Sequence, residues 1–192
     1  MKILLMRHGE STGDLTDQFG GWDDDHLTPV GKHQIADAVT EIEKKNLAFE
    51  KVLSSPLLRA QGTARIVGNQ LHLPVEVFHL VKEFNAYGVF SGLTAREVVE
   101  LYPEFEGVNV KQDYVPGQER QEDFEERVRL AMKMIVARGE GVIVVAHGGF
   151  ISNFCRLIIG QEIKKIGDGG WILVDIDDGN WTLFESDNVE FK

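Results

Sequence analysis

The sequence predicts an α/β fold, a single three-layer domain over residues 1–192 in which helices flank both faces of a mostly parallel central sheet. Short apolar runs rich in β-branched residues alternate with longer stretches of helical periodicity, the order that produces parallel strands joined by covering helices. One run, VIVVA at 142–146, is apolar at every position, as expected of a strand covered on both sides. A length of 192 residues with 43% apolar composition suits one core rather than two.

Six strands are predicted from the β-rich runs, and the last two are expected to pair as a hairpin because the DDGN between them is typical turn sequence. The central strands should be buried on both faces. In chain order the runs are Lys2–Met6, Lys51–Ser54, Val75–Phe78, Gly141–Ala146, Ile172–Ile176 and Trp181–Phe184.

Helices are predicted from the residues that begin them. Thr28 before Pro29 is an N-cap followed by proline at the first helical position, and a second helix is expected to begin near Leu57. Thr94 and Glu97 have the spacing of a capping box, which predicts a short helix that ends before the next proline. Two further helices are expected over residues 122–138 and 149–159.

The composition argues against several kinds of partner. Twenty Lys and Arg against 31 Asp and Glu give a net charge of -11, the wrong sign for binding nucleic acid or an anionic membrane without a basic patch, and the sequence shows no such patch. The opening MKILLM is too short for a signal peptide or membrane span, so we expect a cytoplasmic protein. The single cysteine, Cys155, is expected to be a core residue in a reducing compartment. The oligomeric state is left open.

The first candidate functional residues follow the first predicted strand. In MRHGEST at positions 6–12, Arg7 and His8 stand at the carboxyl end of the strand, where ligands bind in open α/β sheets. The guanidinium of Arg7 presents a planar set of donors that matches phosphate oxygens, and an adjacent imidazole can attack phosphorus. By themselves, these two residues could equally be a surface pair without a role.

Two further strand ends carry the same residue types. Arg59 in VLSSPLLRAQGTARIV lies just inside the helix after the second strand, and His147 follows the fourth. Because His147-Gly148-Gly149 opens the next helix, we expect its backbone N–H groups, including that of Gly148, to face an anion bound beside His147. Two arginines and two histidines at strand ends therefore predict a site for a small phosphorylated metabolite.

These motifs, in this order, resemble those of the histidine phosphatase superfamily. The resemblance rests on RHG at position 7, SSPLLRAQGTA at position 54 and HGG at position 147. It extends through GGWDDDHLTPVGKHQ and the region of Glu83, and it weakens after about Gly160. It implies the phosphoglycerate mutase-like α/β fold.

The resemblance also implies a role for each motif residue. His8 would become a phosphohistidine, Arg7, Arg59 and His147 would hold the phosphoryl oxygens, and Glu83 would donate and accept the proton. Elementary chemistry agrees, because expelling an alkoxide at neutral pH requires an acid, and the same group as a carboxylate can then activate water. Two guanidinium groups and an imidazole can stabilise the transferring phosphoryl group, so neither a metal nor another cofactor is expected.

Asp14 departs from the family pattern, because the superfamily usually has Asn at this position with its amide directed at the phosphate. An ionised carboxylate there would repel a phosphate group. Two arrangements remain open. Asp14 either lies against the substrate and donates a hydrogen bond only when protonated, or it turns away and caps the loop over residues 15–26.

The sequence favours a phosphatase over a phosphoglycerate mutase-type isomerase using the same site. FGGWDDDHLT resembles the loop of the cofactor-dependent mutases. Those mutases, however, are larger, place Arg after the acid and carry an arginine pair that grips a carboxylate. Here Phe84 follows Glu83, and no Arg-Arg pair occurs in the sequence. A metal-dependent hydrolase and a catalytically silent binding module are retained as minor alternatives. The metal ligands of the former would be His8, His147, Asp14 and Glu83.

Several other polar residues are expected to have no role in catalysis. The run Asp23–Asp25 is interpreted as a solvated loop, and Trp22 could either line the mouth of the site or hold that loop in place. The remaining histidines are expected to be solvated, namely His26, His33, His72 and His79.

Overall fold

The computed structural model describes residues 1–110 and 113–192 and contains a six-stranded sheet. The strands are β1 (Lys2–Arg7), β2 (Lys51–Ser54), β3 (Val75–Val77), β4 (Val142–Ala146), β5 (Ile163–Asp177) and β6 (Asn180–Phe191). Their order across the sheet is β3-β2-β4-β1-β5-β6. The first four in this order are mutually parallel, whereas β5 and β6 pair antiparallel at one side. The predicted mostly parallel sheet is confirmed.

Helices cover both faces of this sheet. They are α1 (Pro29–Glu43), α2 (Leu58–Leu71), α3 (Ala95–Leu101), α4 (Gln121–Val136) and α5 (Gly148–Phe154), the last continuing into a π-helical turn over Cys155–Ile159. Alternate residues of the central strands point to opposite sides. Leu4 and Val145 pack with α1 and α2, whereas Leu5 and Val144 pack with α4 and α5. The three-layer α/β class is therefore confirmed, and β1 and β4 are buried as predicted.

The C-terminal hairpin is longer than the sequence pattern predicts. Its two strands span 15 and 12 residues, and Asp178 and Gly179 form the turn with positive φ values of 46° and 80°. Register shifts and exposed polar residues interrupt its alternation, which hides the strand pattern beyond the apolar runs. Cys155 is fully buried, as expected, and burial raises the pKa of its thiol to about 12. None of the described helices is long and apolar enough to span a membrane.

The loop after β1 is held tightly against the start of α1. Thr28 caps α1 by accepting a hydrogen bond from Gly31 N at 2.9 Å, and its own hydroxyl donates to Glu10 Oε1 at 2.6 Å. A Cβ on Gly31 would lie 2.1 Å from the carbonyl oxygen of Glu10, so only glycine allows this close approach. The contact fixes the path of the residues that follow His8.

Candidate active site

His8 is buried directly after β1, and its ring nitrogens have different partners. Nδ1 lies 2.8 Å from the carbonyl oxygen of Gly9, which can only accept, so Nδ1 carries the proton. Nε2 accepts a hydrogen bond from Arg59 Nε at 3.2 Å. Burial, and next the charges of Arg59 and Arg7, lower the pKa of His8 to about 3. The imidazole is therefore neutral, with an electron pair on Nε2.

Arg59 lies in the first turn of α2 and is 5% exposed. Its Nη1 donates to the carbonyl oxygen of Asp23 at 2.6 Å, and its Nη2 donates to that of Gly21 at 2.9 Å. Together with the bond to His8, these contacts place the guanidinium between the imidazole and the loop before α1. The prediction that Arg59 lies just inside a helix, near His8, agrees with this geometry.

Arg7 ends β1, and its guanidinium is fixed from the C-terminal hairpin. Nη1 donates to the carbonyl oxygen of Ile166 at 2.9 Å, and Nη2 forms an ion pair with Asp168 at 2.9 Å. The side chain is 21% exposed, and Arg7 lines the same cleft as His8. Arg7 is therefore held in one orientation by Asp168 and can contact another anion that binds in the cleft.

His147 follows β4 and is completely buried beside His8, with ring centroids 5.1 Å apart. Its Nε2 lies 2.7 Å from Ser55 Oγ, and among the described residues its Nδ1 has no hydrogen-bond partner. Burial, and next the neighbouring His8, hold the pKa of His147 well below its usual value. An unpartnered buried nitrogen is costly, and a phosphoryl oxygen could satisfy it.

Glu83 reaches the same place from the segment between β3 and α3. Its Oε1 accepts hydrogen bonds from Phe84 N at 2.8 Å and Phe150 N at 3.1 Å, and its Oε2 accepts from Gly149 N at 3.0 Å. The start of α5 was predicted to face a bound anion, and the group that it binds through Gly149 and Phe150 is this carboxylate. Burial raises the pKa of Glu83 despite these hydrogen bonds. A raised pKa suits a group that must deliver a proton near neutral pH.

The predicted residues surround one open cleft of about 280 Å³. His147 stands behind its lining, beside His8. The run Asp23–Asp25 lies in a loop, as predicted, but the loop folds back over Arg59, and Asp23 and Asp25 are only partly exposed and line the cleft. The lining residues are Arg7, His8, Ser11, Gly13, Asp14, Gln18, Gly20, Gly21, Asp23, Asp25, Arg59, Glu83 and Gly148.

Asp14 lies between the two arrangements that the sequence left open, because one oxygen caps residues 12–15 rather than the 15–26 loop and the residue also lines the cleft. Its Oδ2 accepts hydrogen bonds from the backbone N and the hydroxyl of Ser11, both at 2.7 Å, and so caps the short 3-10 helix Thr12–Leu15. Its Oδ1 lies 3.6 Å from Arg7 Nη2 inside the cleft. Partial burial would raise the pKa of Asp14, but the hydrogen bonds from Ser11 and the charge of Arg7 hold it below its usual value. The carboxylate is therefore ionised at neutral pH.

Replacing Asp14 with Asn tests whether this charge opposes phosphate. Asn keeps an oxygen that can accept from Ser11 and removes one negative charge beside Arg7. We expect kcat/KM for nitrophenyl phosphate, whose phosphate group is anionic, to rise several-fold at pH 7 to 8. The gain should shrink as the pH falls and the native carboxylate takes up a proton. A pH–rate profile checks this, and a uniform decrease at every pH would assign Asp14 a purely structural role.

The other candidates take simpler positions. Trp22 Nε1 donates to the carbonyl oxygen of Glu83 at 2.7 Å, and the ring lies under Lys82 Nζ at 3.6 Å, so Trp22 ties its loop to the Glu83 segment. In residues 1–110 and 113–192, no group of three or more His, Cys, Asp or Glu side chains could hold a metal ion. The four remaining histidines are exposed, namely His26, His33, His72 and His79.

Two partners of the motif residues were missed in the sequence. Asp168 orients Arg7 from the far end of the chain, in a GDGG segment beyond the recognisable motifs and without any pattern that would single it out. Ser55 lies within the quoted SSP motif, and its hydroxyl, buried beside His147, was not assigned a role.

Arg127 was also missed, although a signal for it exists. It lies on α4 three residues after Phe124 and one before Val128, on the stripe that faces the core. Its guanidinium donates to the carbonyl oxygens of Leu80, Lys82 and Glu83 at 2.7 to 3.0 Å. It also forms an ion pair with Glu119 at 2.7 Å. A charged residue on an apolar stripe predicts such a partner, and this one holds the backbone of the Glu83 segment.

Comparisons with known proteins agree with this geometry. A 2,3-bisphosphoglycerate-dependent phosphoglycerate mutase of Cytophaga hutchinsonii is 30% identical over 196 residues, which cover 95% of this chain and 86% of that protein. An uncharacterized phosphatase of Bacillus subtilis is 29% identical over 162 residues, covering 83% of this chain and 78% of that protein. The α-ribazole phosphatase structure from Shigella flexneri superposes with a TM-score of 0.79 at 25% identity, covering 96% of this chain and 95% of that one.

The family model of the histidine phosphatase superfamily (branch 1) matches residues 3–188, nearly the whole chain. The match includes the strand ends that carry both arginines and both histidines. The chain therefore belongs to the histidine phosphatase superfamily.

Proposed function

We propose that the chain is a phosphatase that hydrolyses a phosphomonoester of a small metabolite through a phosphohistidine on His8. The observation that carries this proposal is the tautomer of His8. Its proton is held on Nδ1 by the Gly9 carbonyl, so the electron pair lies on Nε2, inside a cleft that contains two guanidinium groups. That electron pair accepts a hydrogen bond from Arg59 and attacks phosphorus once the guanidinium turns to the bound phosphate. A histidine that merely filled the core would not require such a fixed tautomer beside two arginines.

The reaction proceeds in two balanced steps. In the first step Nε2 of His8 attacks phosphorus, the P–N bond forms as the ester P–O bond breaks, and the leaving alkoxide takes the proton of the Glu83 carboxyl group. In the second step the Glu83 carboxylate takes a proton from water while the water oxygen attacks phosphorus. The P–N bond then breaks, which releases inorganic phosphate and restores both side chains.

The remaining motif residues stabilise the transferring phosphoryl group. Arg7 and Arg59 supply fixed donors, and Nδ1 of His147 has no other partner among the described residues. Such donors need not reorganise when charge develops on the equatorial oxygens, which is how most of the barrier is lowered in phosphoryl transfer. Gly148 lines the cleft next to them, so that a phosphate can approach its backbone closely.

Phosphoglycerate mutase-type isomerisation at the same site is the alternative, and the 30% identical mutase of Cytophaga hutchinsonii favours it. A mutase must also hold the carboxylate of its substrate. Among the residues that the structure describes, the two arginines are the only Lys or Arg in the lining of this cleft, against the carboxyl groups of Asp14, Asp23, Asp25 and Glu83. Hydrolysis is therefore the better supported reaction.

A paired assay distinguishes the two reactions. The chain is incubated with 3-phosphoglycerate, with and without 2,3-bisphosphoglycerate, and separately with a panel of phosphomonoesters. We expect inorganic phosphate to be released from members of the panel and 2-phosphoglycerate to form only slowly. If isomerisation of 3-phosphoglycerate is faster than phosphate release from every ester of the panel, the chain is a mutase instead.

Independence from metal ions is a further expected result. Dialysis against a chelator should leave kcat for nitrophenyl phosphate within about twofold of the untreated value, because side chains supply all of the positive charge in this mechanism. The rate is measured before and after dialysis, and again after addition of zinc or magnesium. Loss of turnover that either metal restores would refute the phosphohistidine mechanism and favour a metal-dependent hydrolase.

A further inference from the structure

The wall of the cleft formed by the loop before α1 carries two carboxyl groups that the proposed chemistry does not use. Asp23 and Asp25 both line the cleft. The backbone of this loop is anchored, because Arg59 donates to the carbonyl oxygens of Gly21 and Asp23. The two carboxyl groups therefore face the space in front of the phosphoryl site on a fixed support.

Both side chains are also fixed individually. Asp23 Oδ1 accepts from Asp24 N at 2.9 Å, and Asp25 Oδ1 accepts from Thr12 Oγ1 at 3.1 Å. A Cβ on Gly13 would lie 2.1 Å from Asp25 Oδ2, so the residue opposite must be a glycine for Asp25 to occupy this position. Each carboxyl group is thus held at the cleft by a hydrogen bond to one oxygen.

The nearest cation to the pair is shared with other groups, because the charge of Arg59 acts on Asp23 and Asp25 and also on Glu83 and Asp14. In residues 1–110 and 113–192, no lysine or arginine side chain forms an ion pair with Asp23 or Asp25. The two carboxyl groups are close enough that Asp23, after burial, contributes to a raised pKa of Asp25. Holding like charges together beside one shared guanidinium is unfavourable, and a bound cation would relieve it.

Binding of a phosphate ester worsens this imbalance, because it adds further negative charge to a cleft where carboxyl groups already outnumber guanidinium groups by four to two. A metal ion is not the expected counterion, because the described part of the chain has no group of three or more His, Cys, Asp or Glu that could hold one. A positive charge attached to the substrate itself would meet the Asp23 and Asp25 pair when the phosphoryl group lies against His8.

We propose that the leaving group of the substrate carries a protonated amine that Asp23 and Asp25 bind, which makes the substrate the phosphomonoester of an amino alcohol. This inference rests on the proposed hydrolysis at His8. It names the substrate class by charge: an ammonium group forms charge-assisted hydrogen bonds with the two carboxylates, whereas a carboxylate or second phosphate in the same position is repelled.

Three two-carbon phosphates that differ mainly in one terminal group test the proposal. They are phosphoethanolamine with an ammonium, 2-hydroxyethyl phosphate with a hydroxyl and phosphoglycolate with a carboxylate, and nitrophenyl phosphate serves as a reference. We expect kcat/KM to fall in that order by about tenfold or more at each step at low salt, the effect of one charged hydrogen bond gained or lost. Added salt should compress the differences.

The double variant Asp23→Asn/Asp25→Asn removes both charges. The kcat/KM values of the three two-carbon phosphates should then differ by about threefold or less. Asp37→Asn, on the exposed face of α1 outside the cleft, is the matched control and should keep the wild-type order. If the double variant folds poorly, the wild-type order and its salt dependence decide the question.

Each outcome has one meaning. A flat or reversed order, or an unchanged spread in the double variant, overturns the inference about the amine. Phosphoglycolate becoming the best substrate on addition of magnesium also overturns it, because the carboxylates would then serve a metal-bridged anion. Hydrolysis of nitrophenyl phosphate with a flat order refutes only this inference, whereas no hydrolysis of any ester refutes the proposed function as well.

Discussion

Replacing His8 with alanine is expected to lower kcat for hydrolysis of any phosphomonoester by about 10⁴-fold or more, because the nucleophile that forms the covalent intermediate is lost. In the proposed mechanism water cannot take its place efficiently, because Arg7 and Arg59 would stabilise a phosphoryl group bound to Nε2. Initial rates of the purified variant give the comparison with wild type.

The control for this substitution is His79→Ala, because His79 is exposed and outside the cleft lining. It should retain the wild-type rate. Melting curves of both variants establish that the chain is folded. A His8→Ala variant that keeps more than about a hundredth of the activity would mean that His8 does not form the intermediate, since removal of a nucleophile costs far more than this.

Replacing Glu83 with glutamine is expected to slow formation of the phosphohistidine from alkyl phosphates by about 10² to 10⁴-fold. The same step with nitrophenyl phosphate should slow by less than about tenfold. The difference arises because nitrophenolate leaves without being protonated, whereas an alkoxide requires the proton of Glu83. The first step is isolated by measuring the burst of released alcohol or nitrophenol.

The pH dependence gives Glu83 a second signature. Burial raises the pKa of Glu83, so its acid form persists to higher pH than that of an ordinary glutamate. Release of an alkyl leaving group should therefore be fast at low pH and slow as the pH rises through this raised pKa, and glutamine should remove the dependence. Glu126→Gln, at an exposed position of α4, is the control. Equal losses on alkyl and aryl substrates would assign Glu83 a structural role.

Local patterns in the sequence were sufficient to predict the layers of the fold and the positions of the motif residues at the strand ends. Arg7, His8, Arg59 and His147 follow parallel strands or begin helices after them, and parallel strands bring their carboxyl ends to one edge of the sheet. The resemblance to the superfamily supplied Glu83, which no strand-end argument could place.

The partners of these residues could not be predicted in the same way. Asp168 meets Arg7 across most of the chain, on a hairpin whose register shifts break the alternation that would have revealed it. Asp23 and Asp25 look like a solvated acidic run, and only the hydrogen bonds of Arg59 to the loop backbone turn them into the cleft. Contacts between residues far apart in sequence depend on tertiary packing, and local propensity carries no information about them.

Trapping the phosphoenzyme is the most direct test of the account. The Glu83→Gln variant is mixed rapidly with nitrophenyl phosphate and quenched in alkali, because loss of the base that activates water should let the intermediate accumulate. We predict about one phosphate per chain, bound to His8 through a bond that is stable in alkali and labile in acid. The double variant Glu83→Gln/His8→Ala should carry no phosphate. Phosphate on a serine, or a nitrophenol burst without phosphate on His8, would contradict the mechanism.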